Sequence, residues 1–382
     1  MTAPLDDIRV LDFSTLLPGP MATLFLAEAG AEIIKIERPG RGEEMRSYDP
    51  KWGRDSANFA MLNRGKKSLA LDLKNPSDRA RLTPLLKDAD ILVEQFRPGV
   101  MARLGLGYQE VAAINPKVIY CSITGYGQFG PKAARAGHDL NYIGDSGLLA
   151  LSCGTAQTPV IPPALIADIA GGTYPAVLNI LLALRERDRS GKGAHLDISM
   201  SDNLFPFMYW ALADGQVTGQ WPGSGDALVT GGSGRYRLYP TRDGRFVAAA
   251  PIEQKFWDTF CDAIGLPTDL RDDGRDHAAT TQAVSQIIAA QPTEYWRGVF
   301  DMADCCCSVV QTLQEALQDP HFQNRGILNY WVENEEGAQQ IALPVPVVSN
   351  FRAPPGSACA PALGIDSDIT ARLGAETKRG TT

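Results

Sequence analysis

The residues most suited to chemistry in this chain are a histidine and two acids. His138 follows Gly137 and enters the segment Asp139-Leu-Asn-Tyr-Ile143, while Asp168 stands alone among Leu165, Ile166, Ile169 and Ala170. A histidine at the start of a helix is available as a neutral imidazole base. A carboxylate in apolar surroundings is rarely buried without a partner, so Asp168 is either a structural acid bonded to backbone amides or a reactive one. Its place near the start of a helix is expected to help keep it ionised.

The other three histidines offer less. His277 lies in a charged run and His321 follows Pro320, so both are expected in solvent; His195 precedes a short strand and is expected to pack. The seven cysteines, Cys121, Cys153, Cys261, Cys305, Cys306, Cys307 and Cys359, include no CxxC pair. Three consecutive cysteines cannot all turn towards one ion, so no metal site is expected and free thiols in a reducing cytoplasm are the simpler account.

Composition narrows the partners. A net charge of -8 argues against nucleic acid, which needs a concentrated basic face, but leaves room for a local basic pocket. The N-terminal residues lack a basic region and an apolar core, and the last residues are not a peroxisomal address, so neither end reads as a targeting segment. The longest apolar run, residues 165–184, contains Asp168, Gly171, Gly172, Pro175 and Asn179, which would be costly in lipid. It is expected as a kinked core helix, and no membrane partner is expected.

Positioning elements follow from periodicity. Residues 8–13, 32–36, 68–73, 91–94 and 118–123 read as short apolar strands, with helices at 21–29 and 76–87 between them, a pattern that indicates a parallel α/β sheet. Helices are expected at 139–151 and 164–187, the second interrupted near Pro175, which cannot donate to the Gly171 carbonyl. Residues 195–198 read as a strand and 202–216 as an aromatic-rich helix whose Phe205, Phe207, Tyr209 and Trp210 line an acyl site or fill a core. Gly125-Tyr-Gly-Gln-Phe-Gly130 spells the dinucleotide fingerprint, but Pro131 and Lys132 follow where a helix should open, so nicotinamide or flavin binding is not expected.

Glycine, serine and proline dominate residues 219–234, and a domain boundary is placed there. The expected organisation is a large domain over 1–218, a small α+β domain over 219–330, and a segment over 331–382 returning to the large domain. The small domain is read as strands at 235–239 and 245–250, helices at 252–264, 279–290, 293–302 and 313–318. A strand-like tail is read at 341–348.

Taken together these residues resemble the type III CoA-transferases (CaiB/BaiF), and within them the α-methylacyl-CoA racemases. The marks span nearly the whole chain: Asp12-Phe-Ser with Pro18-Gly-Pro20, Ile36-Glu-Arg-Pro39, Asn63-Arg-Gly-Lys66, Leu71-Asp-Leu-Lys74, Phe96-Arg-Pro-Gly-Val100, Thr124-Gly-Tyr-Gly-Gln128, Gly137-His-Asp-Leu-Asn-Tyr142, Ala167-Asp168, Ser190-Gly-Lys-Gly193 and Ile252-Glu253. The resemblance implies a Rossmann-like large domain, a smaller α+β domain, an interlocked homodimer and an acyl-CoA thioester as substrate, with no tightly bound cofactor. It implies His138 as one base, Glu253 as the acid supporting it, Asp168 as the opposed base and Asp139 as an acid near the thioester. Arg38, Lys74, Arg97 and Arg103 match the positions that hold the CoA phosphates and adenine.

Two chemistries follow from the resemblance. In a racemase, two bases invert the α-carbon of a 2-methyl-branched acyl-CoA through an enolate. In a CoA-transferase, Asp168 forms an acyl anhydride and then an enzyme-CoA thioester. His138 with Glu253 favours the racemase; Ala164, where the racemases carry asparagine, and the glycine-rich Gly231-Gly-Ser-Gly234 lean towards the transferase.

Overall fold

The structure is a computed structural model and describes residues 3–366 apart from 153 and 156, together with 368. Cys153 and the C-terminal residues 378–382 discussed above lie outside the described residues. By contacts the chain forms two compact units, one comprising residues up to Ser146, Ala164–Pro206 and the residues from His321 on, the other Gly147–Pro163 and Phe207–Pro320. The division falls at residue 206 rather than 218 and at 320 rather than 330, and 147–163 leave the first unit. The glycine-rich stretch 219–234 is thus a loop region inside the second unit, where the Ser224 hydroxyl donates to the Ser152 carbonyl at 2.7 Å.

The first unit is built on a six-stranded sheet: β1 (Arg9–Asp12), β2 (Glu32–Glu37), β3 (Lys67–Ala70), β4 (Ile91–Glu94), β5 (Ile119–Thr124) and β6 (Ala194–Ser199). All pairings are parallel, and the order is β3-β2-β1-β4-β5-β6. Val10 of β1 pairs with Ile33 on one side and Ile91 on the other, so the direction of winding reverses between β1 and β4. The crevice outside the carboxyl ends of the strands at such a reversal is where doubly wound sheets bind ligands. Strand residues such as Val10, Leu11, Ile34, Leu69, Leu92 and Val93 have no exposed surface, as expected of parallel strands covered on both faces.

Helices connect and cover these strands. Helix α1 (Pro18–Glu28) opens on Pro18, whose missing N–H costs nothing in a first turn. Helix α2 (Pro76–Asp88) lies between β3 and β4, with Asn75 capping its N-terminus by accepting from the Ser77 amide. After β5 the chain runs through turns to a short helix α3 (Asp139–Asp145). The helix expected to reach residue 151 stops here because Gly147 adopts φ +91, leaving a single 3-10 turn at Leu149–Leu151.

The expected kink near Pro175 takes a specific form. Ala167–Thr173 is a π-helical segment that passes directly into helix α4 (Tyr174–Ser190). Pro175 has no N–H for the Gly171 carbonyl, and the Asn203 amide nitrogen donates to that carbonyl instead at 2.9 Å. Gly171 also has to be a glycine: a Cβ there would lie 2.3 Å from the Met200 carbonyl oxygen. By length and composition Ala167–Ser190 would pass for a membrane span. Its Tyr174, Leu178, Leu181 and Leu182 are exposed, and their spacing places them on one helix face.

The second unit carries an antiparallel sheet of β7 (Arg237–Pro240), β8 (Phe246–Ala249) and β9 (Cys307–Val309), with β8 central. Helices Gln254–Ile264, His277–Ala289 and Thr293–Met302 pack on it around Trp257, Phe260, Ile288, Trp296 and Phe300. The strand-like tail expected at 341–348 is absent. Only Gln339–Ile341 pairs, with Trp331–Glu333, and Pro344 and Pro346 cannot donate to a ladder.

Candidate active site

Helix α3 and the π-helical segment meet through their acids. Asp139, buried at the first position of α3, accepts the Asp168 amide N–H on Oδ1 at 3.0 Å and also the Ala167 N–H. Two backbone donors thus tie the start of the π-helix to α3. Burial raises the Asp139 carboxyl, and these two N–H groups oppose the rise. Asp168 has no such support. Burial first, then the neighbouring Asp139 charge, pushes its carboxyl up to about 7. The expectation that the helix start keeps Asp168 ionised is therefore corrected: the Ala167 and Asp168 amides are taken by Asp139 and the Ile169 amide by the Leu165 carbonyl, and a second acid stands beside it. π-helical insertions are frequent at functional sites.

His138 occupies the N-cap of α3, with an exposed side chain. Its amide donates to Asn141 Oδ1 at 3.0 Å, and its carbonyl accepts the Asn141 amide at 2.8 Å. Tyr142, one turn on, holds the same backbone from below, its hydroxyl donating to the Gly137 carbonyl. Burial, with the Asp168 charge adding to it, pushes the Tyr142 hydroxyl up to about 12, so it remains a donor at neutral pH.

Tyr142 also explains the glycines read as a failed dinucleotide fingerprint. A Cβ at Gly125 would lie 2.3 Å from its ring and one at Gly137 2.7 Å, so both glycines make room for an aromatic side chain. No helix opens on Gly125–Gly130; the chain turns there until α3 begins at Asp139. Tyr142 was missed as a site residue by sequence reasoning. Its signal was the four-residue spacing from His138, which reports a shared helix face without saying which backbone the hydroxyl reaches.

The proposed CoA cations divide. Arg38 follows β2 and Lys74 follows β3, and both line one cavity of about 410 Å³ with Phe13, Leu71, Phe96 and Val100. The cavity lies outside the carboxyl ends of β1 to β4, at the reversal in strand order. Arg97 adjoins Phe96, and its charge reaches Tyr142. Arg103 ends a short helix, Val100–Arg103, and does not line the cavity. Among the described residues none of these four cations is ion-paired, whereas two of the four acids on the cavity wall are: Glu37 with Arg46 at 2.7 Å and Glu43 with Lys35 at 2.8 Å.

Glu253 lies in the second unit, exposed at the N-cap of helix Gln254–Ile264. Phe205, Phe207 and Tyr209 are exposed rather than core, and Phe205 borders a cavity of about 320 Å³ with Tyr126, Phe129 and Lys132. His195 is exposed rather than packed in a core, though its ring stacks on Tyr108 with centroids 4.9 Å apart. Among the described residues no group of three or more His, Cys, Asp or Glu side chains could hold a metal ion.

Comparison with known proteins agrees with this architecture. The family model described as CoA-transferase family III matches residues 5–367. The alpha-methylacyl-CoA racemase of Homo sapiens is 33% identical over 357 residues, covering 92% of this chain and 90% of that protein. The acetyl-CoA:oxalate CoA-transferase of Acetobacter aceti is 35% identical over 338 residues, covering 85% of each. The crystal structure of a CAIB/BAIF family protein from Brucella suis superposes with a TM-score of 0.82 at 25% identity, covering 98% of this chain and 100% of that one. The enzymes among these relatives include both racemases and CoA-transferases, and this chain belongs to CoA-transferase family III.

Proposed function

We propose that this protein is an acyl-CoA racemase or epimerase that inverts the α-carbon of a 2-methyl-branched acyl-CoA by two-base proton transfer. The observation that carries the reading is the Asp168 carboxyl, pushed up to about 7 beside a helix whose N-cap is an exposed histidine. An acid-base catalyst works best with a pKa near the operating pH, and a carboxylate far below neutrality would be a poor base for a carbon acid.

In the forward direction the Asp168 carboxylate removes the α proton. The C–H electron pair moves into the carbonyl, giving an enolate, and the protonated His138 returns a proton from the opposite face. In the reverse direction the roles exchange. The amide N–H groups of Asp139 and Leu140, which open α3 and have no intrahelical acceptors, donate to the enolate oxygen. Asp139 fixes the Asp168 backbone, and Glu253 is the acid that the family resemblance assigns to support His138. Arg38 and Lys74 hold the phosphates with Arg97 beside them, where guanidinium forks suit phosphate oxygens, and Arg103, outside the cavity, has no part in this reading. A homodimer completes this reading, since it would cover the apolar face formed by Tyr174, Leu178, Leu181 and Leu182.

The test is incubation with a single-enantiomer 2-methylacyl-CoA in deuterated water. Deuterium is expected at the α-carbon together with loss of stereochemical purity, without any second acid. CoA transfer to an added carboxylic acid with no α exchange would overturn the reading. That outcome is the second reading, in which Asp168 attacks the thioester carbonyl and CoA thiolate leaves. It is favoured by the glycine turn Gly231-Gly-Ser-Gly234, where Gly231 adopts φ +99 beside a cavity of about 450 Å³ in the second unit.

A further inference from the structure

Glu94, the last residue of β4, lies at the strand-order reversal, with only 4% of its surface exposed. Burial pushes its carboxyl up to about 7, the Ser122 hydroxyl and Phe96 amide opposing the rise and the Asp197 charge adding to it. Among the described residues no cation pairs with it. A buried acid without a cation does not repay its desolvation by ion pairing, so its contacts must be sought elsewhere.

Those contacts lead to the cavity. Glu94 Oε2 accepts the Phe96 amide N–H at 2.8 Å, closing a tight loop at the strand end. Its carboxyl also takes the hydroxyl of Ser122 on β5, which in turn meets His195 Nε2 on β6 at 3.1 Å. A hydrogen-bonded row therefore crosses β4, β5 and β6 beneath the loop. On the other side, Gln95 Oε1 accepts the Gly19 amide of α1 at 3.1 Å. The loop is pinned at two consecutive residues, after which Phe96 faces the cavity that holds Arg38 and Lys74, and Arg97 follows.

We propose that Glu94 is a positioning residue for the CoA carrier: its carboxyl, held by Ser122 and bonded to the Phe96 amide, sets the loop that places Phe96 at the cavity and Arg97 next to it. The inference rests on the reading of that cavity as the CoA site and holds for either chemistry. Glu94 touches no reacting atom, so its loss weakens carrier binding and leaves the chemical step alone.

The test uses the full chain, with CoA itself as the probe for binding and acyl-CoA for turnover. Glu94→Leu keeps the volume and removes the acceptor; CoA Kd and acyl-CoA KM are expected to rise about tenfold with kcat changed less than about twofold. Glu94→Gln, whose amide oxygen still accepts the Phe96 N–H, is expected to recover Kd to within about threefold of the unsubstituted protein. Unchanged Kd in Glu94→Leu, equal impairment in both variants, or a loss confined to kcat would overturn the proposal. If Glu94→Leu does not fold, hydrogen exchange on the unsubstituted protein decides: CoA should slow exchange at Phe96, Arg97 and Gly99, and no slowing overturns it. If the unsubstituted protein binds no CoA, the reading of the cavity falls and takes this proposal with it; CoA binding that the variants do not alter overturns the role of Glu94 alone.

Discussion

Two acids of the same unit, Asp12 and Asp168, behave in opposite ways. At the end of β1, Asp12 accepts Thr23 Oγ1 at 2.6 Å and pairs with Lys66 at 3.2 Å, while Lys35 pairs with Glu43. Burial alone would raise Asp12, but Lys35, Lys66 and the Ser14 and Thr23 hydroxyls hold its carboxyl far below the usual range. At α3 and the π-helix, Asp139 accepts two backbone amides, no cation pairs with Asp139 or Asp168 among the described residues, and Asp168 is pushed up instead. The difference is whether positive charge was built in. The first cluster locks the β1 loop to α1; the second keeps a proton within reach at neutral pH, at a cost in stability.

Removing one acid from each cluster gives the largest contrast. Asp168→Ala is expected to lower turnover about 10³-fold under either chemistry without lowering the melting temperature. Asp12→Ala is expected to destabilise by about 3–5 kcal/mol, because Lys66 and Lys35 lose a buried counter-charge. Denaturant titration and steady-state kinetics on both variants check the pair, and a destabilised Asp168→Ala would erase the distinction.

His138→Ala sharpens the functional half of the comparison. Exchange of the α proton is expected to fall at least about 10²-fold. If CoA transfer between two acids persists in that variant at the unsubstituted rate, Asp168 is acting as a nucleophile and the histidine is dispensable.

The smallest effect is in stability against pH. Asp168 titrates near 7 in the folded chain and near 3.8 unfolded, so the folded state binds the proton more tightly. Its contribution is fully present below about pH 4 and is lost as pH rises through 7. Asp12 has the opposite sign: its contribution is present above about pH 4 and is lost on acidification below it. Melting temperatures across pH 5–8 should fall less steeply for Asp168→Asn than for the unsubstituted protein. A parallel fall in both would place the titration elsewhere.

How much of this was legible beforehand varies by feature. The parallel sheet was visible in the apolar strand runs, because strands covered on both faces carry no polar alternation. Pro175 announced a break in its helix, since a missing N–H is a local property. Asn203 as the replacement donor to Gly171 was not visible, being 32 residues away in sequence. Arg38 and Lys74 could be named from the family resemblance but not seen to share a cavity, and Arg103 lies outside it although its residue type is equally suitable. The unit edges given by contacts were not legible, because glycine content marks a loop wherever it occurs, at a boundary or inside a unit.

The opening residues show the division most clearly. By itself the sequence determined that His138 starts a helix and that Asp168 is an acid in an apolar run, both consequences of neighbours a few positions away. It determined the family as well, through many short motifs in order. Only the tertiary structure decided that Asp139 and Asp168 are adjacent, that the glycines at 125 and 137 serve Tyr142, and that Asp168 titrates near neutrality. Those outcomes depend on which charges meet through space and how far water is excluded, and electrostatic interaction and desolvation follow distance in three dimensions, not separation along the chain.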